Sequence, residues 1–212
     1  MTKIKYLQPN EKLELWDVIK KDQSIHARRN LAIFSLAEYC ALRASEIGKI
    51  RIEYLRRTDS HTQIYCERLK GSFNNTLLII EDEIEDILYD YYYHERLCFS
   101  SSSPFLFLSQ KGAPISRKTL DAIMKKYCEK TSIPKEKHHF HVLRHTRAVE
   151  LADEGLNLQA IQWWLGHKNV CNTMIYTQFT VTQQRHIYRY LLKRRAYEER
   201  TQEKYQDQCN IR

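Results

Sequence analysis

The sequence predicts a mainly α-helical domain with a small antiparallel β-sheet near its first third, an α+β fold. Two observations lead there. Apolar residues recur at i, i+3, i+4 and i+7 in block after block, the signature of amphipathic helices. Two short stretches, residues 63–68 and 76–80, break that period and read as strands around Lys70-Gly71-Ser72-Phe73-Asn74-Asn75, whose composition suits a hairpin loop. At 212 residues, 42% of them hydrophobic, the chain can bury one sizeable core.

Pro9-Asn10-Glu11 opens a first helix with Leu13, Leu15, Trp16 and Ile19 on its apolar face. A second runs from about residue 26 to 42 and aligns Ile33, Leu36, Ala37 and Cys40. Arg43-Ala44-Ser45-Glu46-Ile47 follows directly, then a strand-like segment over residues 50–54. After the hairpin, residues 81–98 return to helix, acidic at the start as the helix dipole prefers. Ser100 to Pro104 reads as a loop, and Phe105-Leu106-Phe107-Leu108 as a short buried strand or core segment. Ser116 opens a helix that turns Leu120, Ile123, Met124 and Tyr127 inward. A polar turn over residues 131–137 leads to His139-Phe140-His141-Val142-Leu143-Arg144-His145-Thr146. From there Leu143, Ala148, Leu151 and Ala152 form one stripe, and Leu158, Ile161 and Leu165 another. Gly155 and Gly166 stand at C-cap positions and Asn157 at an N-cap. Beyond Tyr176 a charged helix carries a sparse stripe of Ile187, Tyr190, Leu191 and Tyr197. No internal repeat is visible.

The net charge of +8 points to a polyanionic partner, nucleic acid first. The six cysteines are widely spaced with no CxxC pair, which fits a reducing cytosol better than a disulfide or zinc framework. No signal peptide and no membrane-spanning run are expected. The chain reads as cytoplasmic.

Six residues carry the chemistry. Arg43 and Arg144 together can hold one phosphodiester by bidentate, charge-assisted bonds. The competing reading pairs Arg43 with Glu46, and Arg144 with Glu150 or Asp153. His141 lies three residues before Arg144, so a helix puts both on one face. Its imidazole, like that of His167, suits proton transfer or a hydrogen bond to a phosphoryl oxygen. The neighbouring His138, His139 and His145 raise a metal alternative, disfavoured because no cysteine or carboxylate joins them at a known zinc spacing. Tyr176 follows His167 closely, at the expected start of a short helix. Its phenol becomes a nucleophile when cations stabilise the phenolate. Lys70 in the hairpin loop can swing onto a leaving oxygen, or be an ordinary exposed lysine.

In order and spacing, Leu42-Arg43-Ala44-Ser45-Glu46-Ile47, Lys70, His141-Val142-Leu143-Arg144-His145-Thr146, Leu165-Gly166-His167 and Ile175-Tyr176-Thr177 resemble the catalytic domain of the tyrosine recombinases, or phage integrases. Within the family the chain is most similar to the short recombinases that invert fimbrial promoter switches. Those share Arg-Ala-Ser-Glu-Ile, Arg-Leu-Lys and the segment matched here by Phe107-Leu108-Ser109-Gln110-Lys111-Gly112-Ala113-Pro114-Ile115-Ser116. The resemblance implies that Tyr176 attacks the scissile phosphate to form a 3′-phosphotyrosyl link while Arg43 and Arg144 clamp it. Lys70 would protonate the 5′-oxygen, with His141 and His167 assisting. It implies no cofactor, metal or ATP, and as partners double-stranded DNA with specific sites, a homotetramer on that DNA and accessory DNA-bending proteins. Arg68, Lys111, Arg147 and Lys168 are expected as further DNA contacts. Expected boundaries are a lead over 1–6, the catalytic domain over 7–192 and a charged tail over 193–212.

Two features depart from the family pattern. Little precedes Leu7 where relatives carry an N-terminal DNA-gripping domain, so a weaker clamp or outside help is expected. Ala41 stands where glycine is common, which puts the turn before Arg43 in question. A type IB-like topoisomerase shares the chemistry, and a catalytically idle DNA-binding regulator shares the fold. The intact set of Arg43, Lys70, His141, Arg144, His167 and Tyr176 speaks against the idle reading.

Overall fold

The helix α2 (Ala27–Tyr39) is the centre of the molecule: α1 (Pro9–Lys20), α4 (Asp82–Tyr91) and α6 (His141–Asp153) all pack on it. The computed structural model describes residues 5–69, 71–98, 102–176 and, further on, residues 188, 189, 192, 194 and 195. The predicted α2 stripe of Ile33, Leu36, Ala37 and Cys40 is fully buried. Phe34 adds edge-on contacts to Tyr127 and Phe140, with ring centroids 5.5 and 5.3 Å apart. Of the α1 face, Leu15 and Ile19 are buried, but Leu13 is 72% exposed.

The sheet holds three antiparallel strands in the order β1 (Leu55–Arg57), β2 (Thr62–Cys66) and β3 (Asn75–Ile79). Thr62, Ile64 and Cys66 face inward opposite Ile79, Leu77 and Asn75, the period-2 burial expected of a sheet with one wet face. Three boundaries differ from those read in the sequence. β2 stops at Cys66, so Arg68 belongs to the loop. Residues 52–54 form a 3₁₀ turn before β1, while Ile50 and Ile52 pair with Leu106 and Pro104 instead. The helix over 81–98 is α4 followed by a π-helical turn, Tyr92–Arg96. Arg96 there is buried and donates to the carbonyls of Ser103 and Phe105, which ties down the segment leading into Phe105.

α3 (Ala44–Ile47), α5 (Arg117–Cys128), α7 (Leu158–Leu165) and α8 (Cys171–Met174) complete the fold. Ser116 and Asn157 cap α5 and α7 through bonds from the Thr119 and Ala160 amides, as the sequence indicates. Gly166 ends α7 in the left-handed region at φ 69°. A methyl there would lie 2.7 Å from the Phe73 carbonyl, so both its backbone conformation and its surroundings require glycine. α2 stops at Tyr39 rather than near residue 42, because Ala41 adopts a left-handed φ of 51°. The family-pattern glycine position thus keeps a glycine-like backbone although its residue is alanine, at a cost of roughly 1–2 kcal/mol. The predicted stripe of Ile187, Tyr190, Leu191 and Tyr197 lies outside the described residues.

Candidate active site

The reversal at Ala41 sends the chain into α3 with Arg43 at the N-cap position. Arg43 donates from NH1 to Glu46 Oε1 at 2.7 Å and to Ser72 Oγ at 3.2 Å, while its amide donates to Glu46 Oε2. Glu46 has a fully buried side chain, whereas Arg43 keeps 26% of its own exposed. Burial alone would lift the Glu46 pKa. Arg68, the Arg43 amide, Arg144 and Arg43 together outweigh that and hold it below the ordinary carboxylate value. The ion pair foreseen for Arg43 therefore exists, and it leaves the guanidinium at the surface rather than burying it.

Arg144 sits one turn into α6 and is 1% exposed. NH1 donates to the Ala41 carbonyl at 2.5 Å, and NH2 to the Leu165 carbonyl and to His167 Nε2, both at 2.8 Å. Neither Glu150 nor Asp153 pairs with it. Glu150 is instead engaged by Lys12 and Arg147. A guanidinium only donates, so His167 Nε2 is the acceptor and Nδ1 carries the proton, which goes to the buried Thr173 Oγ1 at 2.9 Å. His167 is reached because Gly166 turns the chain back and because Ser72 bridges to it from the β2–β3 loop.

Tyr176 lies two residues beyond the end of α8; the short helix expected to start there falls outside the described residues. The ring is 4% exposed and packs with Ala41, Ala148, Leu151, Ile161 and Leu165. Its hydroxyl lies 2.6 Å from His145 Nδ1. His141 meets His145 edge-on at 4.5 Å between ring centroids.

Electrostatics give the cluster its character. Burial pushes Tyr176 up to about 12, against the pull of Arg144 and Arg43. Burial, then Arg144 and Arg43, bring His141 and His167 down to about 4; burial, then His141 and Arg144, bring His145 to about 3. His141 has an exposed edge, so its cationic neighbours count for more than loss of water. Burial, Arg43 and Arg68 lower Arg144 to about 9, which leaves it charged at neutral pH. Arg43, Arg68 and Arg144 thus face the single carboxylate of Glu46. The imidazoles are neutral, and the surplus positive charge calls for an anion. Among the described residues no group of three or more His, Cys, Asp or Glu could hold a metal ion.

The phage integrase family model matches residues 5–183. The chain belongs to that family, the tyrosine recombinases. Among its relatives is the type 1 fimbriae regulatory protein FimB of Escherichia coli K12, 33% identical over 153 residues, which are 72% of this chain and 74% of that protein. Two solved structures share the fold. XerA recombinase has a TM-score of 0.74 at 27% identity over 90% of this chain and 66% of that one. XerH site-specific recombinase bound to a palindromic difH substrate has a TM-score of 0.77 at 22% identity. The match covers 88% of this chain and 53% of the XerH chain, so this recombinase corresponds to about half of it.

Five of the six catalytic residues expected from the sequence, Arg43, His141, Arg144, His167 and Tyr176, therefore converge in the recombinase. Lys70 lies outside the described residues. Its neighbours engage the site: the Leu69 amide donates to Glu46, and Ser72 receives Arg43. The further DNA contacts divide. Lys111 and Lys168 are exposed. Arg68 is not a groove-facing side chain: it is wholly buried and bonded to Glu46, Asn75 and the carbonyls of Cys40 and Trp164. Arg147 is also committed elsewhere, pairing with Glu150 and Glu154 and lying over the rings of Tyr39 and Trp164. Sequence reasoning named Glu46 only as a competing partner and His145 only as a metal alternative, and it passed over Ser72 and Thr173. The one available signal for His145 was its place on the turn after Arg144.

Proposed function

We propose that this chain breaks and rejoins DNA as a site-specific recombinase, with Tyr176 as nucleophile. The observation that carries the proposal is Arg144: a buried guanidinium bonded to two carbonyls and a neutral imidazole and, among the described residues, to no carboxylate. A phosphodiester meets that demand. Arg43, paired with Glu46 and half-buried, supplies the second fork. In the forward step Tyr176 gives its phenolic proton to a neutral imidazole, the part the family resemblance gives His141 and His167. Tyr176 Oη bonds to phosphorus, the bond to the 5′-oxygen breaks, and that oxygen takes a proton from Lys70, again the role the resemblance gives it. Religation reverses each change, so the bond energy is kept and no nucleotide is consumed. Once the phosphate displaces the present partners of Arg144, His141 and His167 assist proton transfer, and His167 reaches a non-bridging oxygen with its proton moved to Nε2.

Similarity to FimB and to the fimbrial-switch recombinases supports inversion of a DNA segment between paired sites by a tetramer, helped by DNA-bending proteins, with chain 7–192 as the catalytic unit. Incubation with a nicked suicide substrate tests the chemistry. The wild type forms an SDS-resistant adduct that survives EDTA, and Tyr176→Phe forms none. Loss of the adduct in EDTA and its recovery with magnesium would overturn the metal-free reading.

A further inference from the structure

We propose that His145 is a positioning residue for the nucleophile, its Nδ1 lone pair receiving the Tyr176 hydroxyl and aiming the phenol at the Arg144 pocket. The inference rests on Tyr176 being the attacking group. Apolar packing on Ala41, Ala148, Leu151, Ile161 and Leu165 fixes where the ring lies. Apolar packing leaves the direction of a hydroxyl undetermined, because it offers the proton no acceptor. The 2.6 Å contact to Nδ1 supplies one. If Nδ1 carried the proton instead, the phenolic hydrogen would face the apolar cluster without a partner.

The neighbourhood also says what His145 does not do. Facing it are His141, Arg144 and His139, all of which oppose a positive imidazole, and no carboxylate is among them. A ring so placed stays neutral and holds the hydroxyl rather than removing its proton. His145 directly follows Arg144 on α6, so one helical turn carries both the phosphate clamp and the holder of the nucleophile. His141 packs edge-on against the ring and steadies its orientation.

The test uses the full chain and single-turnover adduct formation on the suicide substrate. His145→Leu fills the space without an acceptor and should slow the adduct about threefold to tenfold, with DNA affinity unchanged. His145→Asn puts Oδ1 close to the place of Nδ1 and should bring the rate back within about twofold of wild type. A Leu variant as fast as wild type overturns the inference, and so does an Asn variant as slow as Leu, since that marks a proton acceptor. Should the Leu variant fail to fold, the nitrogen-15 resonance of His145 decides: an unprotonated Nδ1 that shifts in Tyr176→Phe supports it, and a protonated Nδ1 overturns it. The outcomes separate from the recombinase reading, because that one fails only if the wild type forms no adduct or Tyr176→Phe still does.

Discussion

Arg68 and Arg144 are both buried, both bond the carbonyl of Ala41, and they do opposite work. Arg68 joins the end of α2, the β2–β3 loop and the end of α7, reaching Glu46, Asn75, Cys40 and Trp164. Its charge is answered by Glu46, and its fork is spent on the fold. Arg144 has the same depth but, among the described residues, no carboxylate bonded to it; Glu46 reaches it only through its field, so part of its fork and much of its charge remain to be met from outside. Burial therefore does not separate an architectural arginine from a working one. What does is whether the fork is spent on the fold: Arg68 is closed off, while Arg43 pairs with the same Glu46 and still keeps an open edge.

Variants at the two positions should break that comparison in opposite ways. Arg144→Met removes the phosphate clamp and should lower adduct formation on the order of 10³-fold, the scale of losing a transition-state donor. Urea denaturation should show a smaller stability loss for it than for the Arg68 variant. Arg68→Met takes one of the two guanidinium partners from buried Glu46 and loses the bonds to Asn75 and to the Cys40 and Trp164 carbonyls, and should destabilise by about 3–5 kcal/mol. If Arg68→Met were as stable as wild type but inactive, the division of labour drawn here would be wrong.

A smaller effect sharpens the account. His145 and His167 are held near 3 and 4, below the ordinary 6.5, so unfolding takes up protons between those values. The stability from keeping them neutral is complete above about pH 6.5 and is lost as pH falls through 4 toward 3. Near pH 5 each group contributes about 1.2–1.4 kcal/mol per pH unit, so the slope should approach about 2.5. Denaturation at several pH values measures it, and His145→Asn should flatten the curve.

Much of this was legible in the chain itself. The period of α2, α5, α6 and α7 and the caps at Ser116, Asn157 and Gly166 are local properties. So is the alternation in β2 and β3, and these elements form largely where the sequence sets them. The motif residues were legible through their spacing. What stayed hidden depends on segments that meet only in the folded chain. Arg68 looked like a DNA contact because its partners at residues 40, 46, 75 and 164 lie on four different segments. His145 looked incidental because the return of the chain through α7 and α8, which brings Tyr176 to it, spans 31 residues. Ala41 departs from the family pattern, and only its φ of 51° shows that the turn survives it.

The central claim is that Tyr176 is the group that becomes joined to DNA. Digestion of the suicide-substrate adduct and mass spectrometry of the modified peptide test it directly. The account predicts a 3′-phosphoryl nucleotide on the peptide that contains Tyr176. A nucleotide on Tyr188, Tyr190 or any other residue would contradict it.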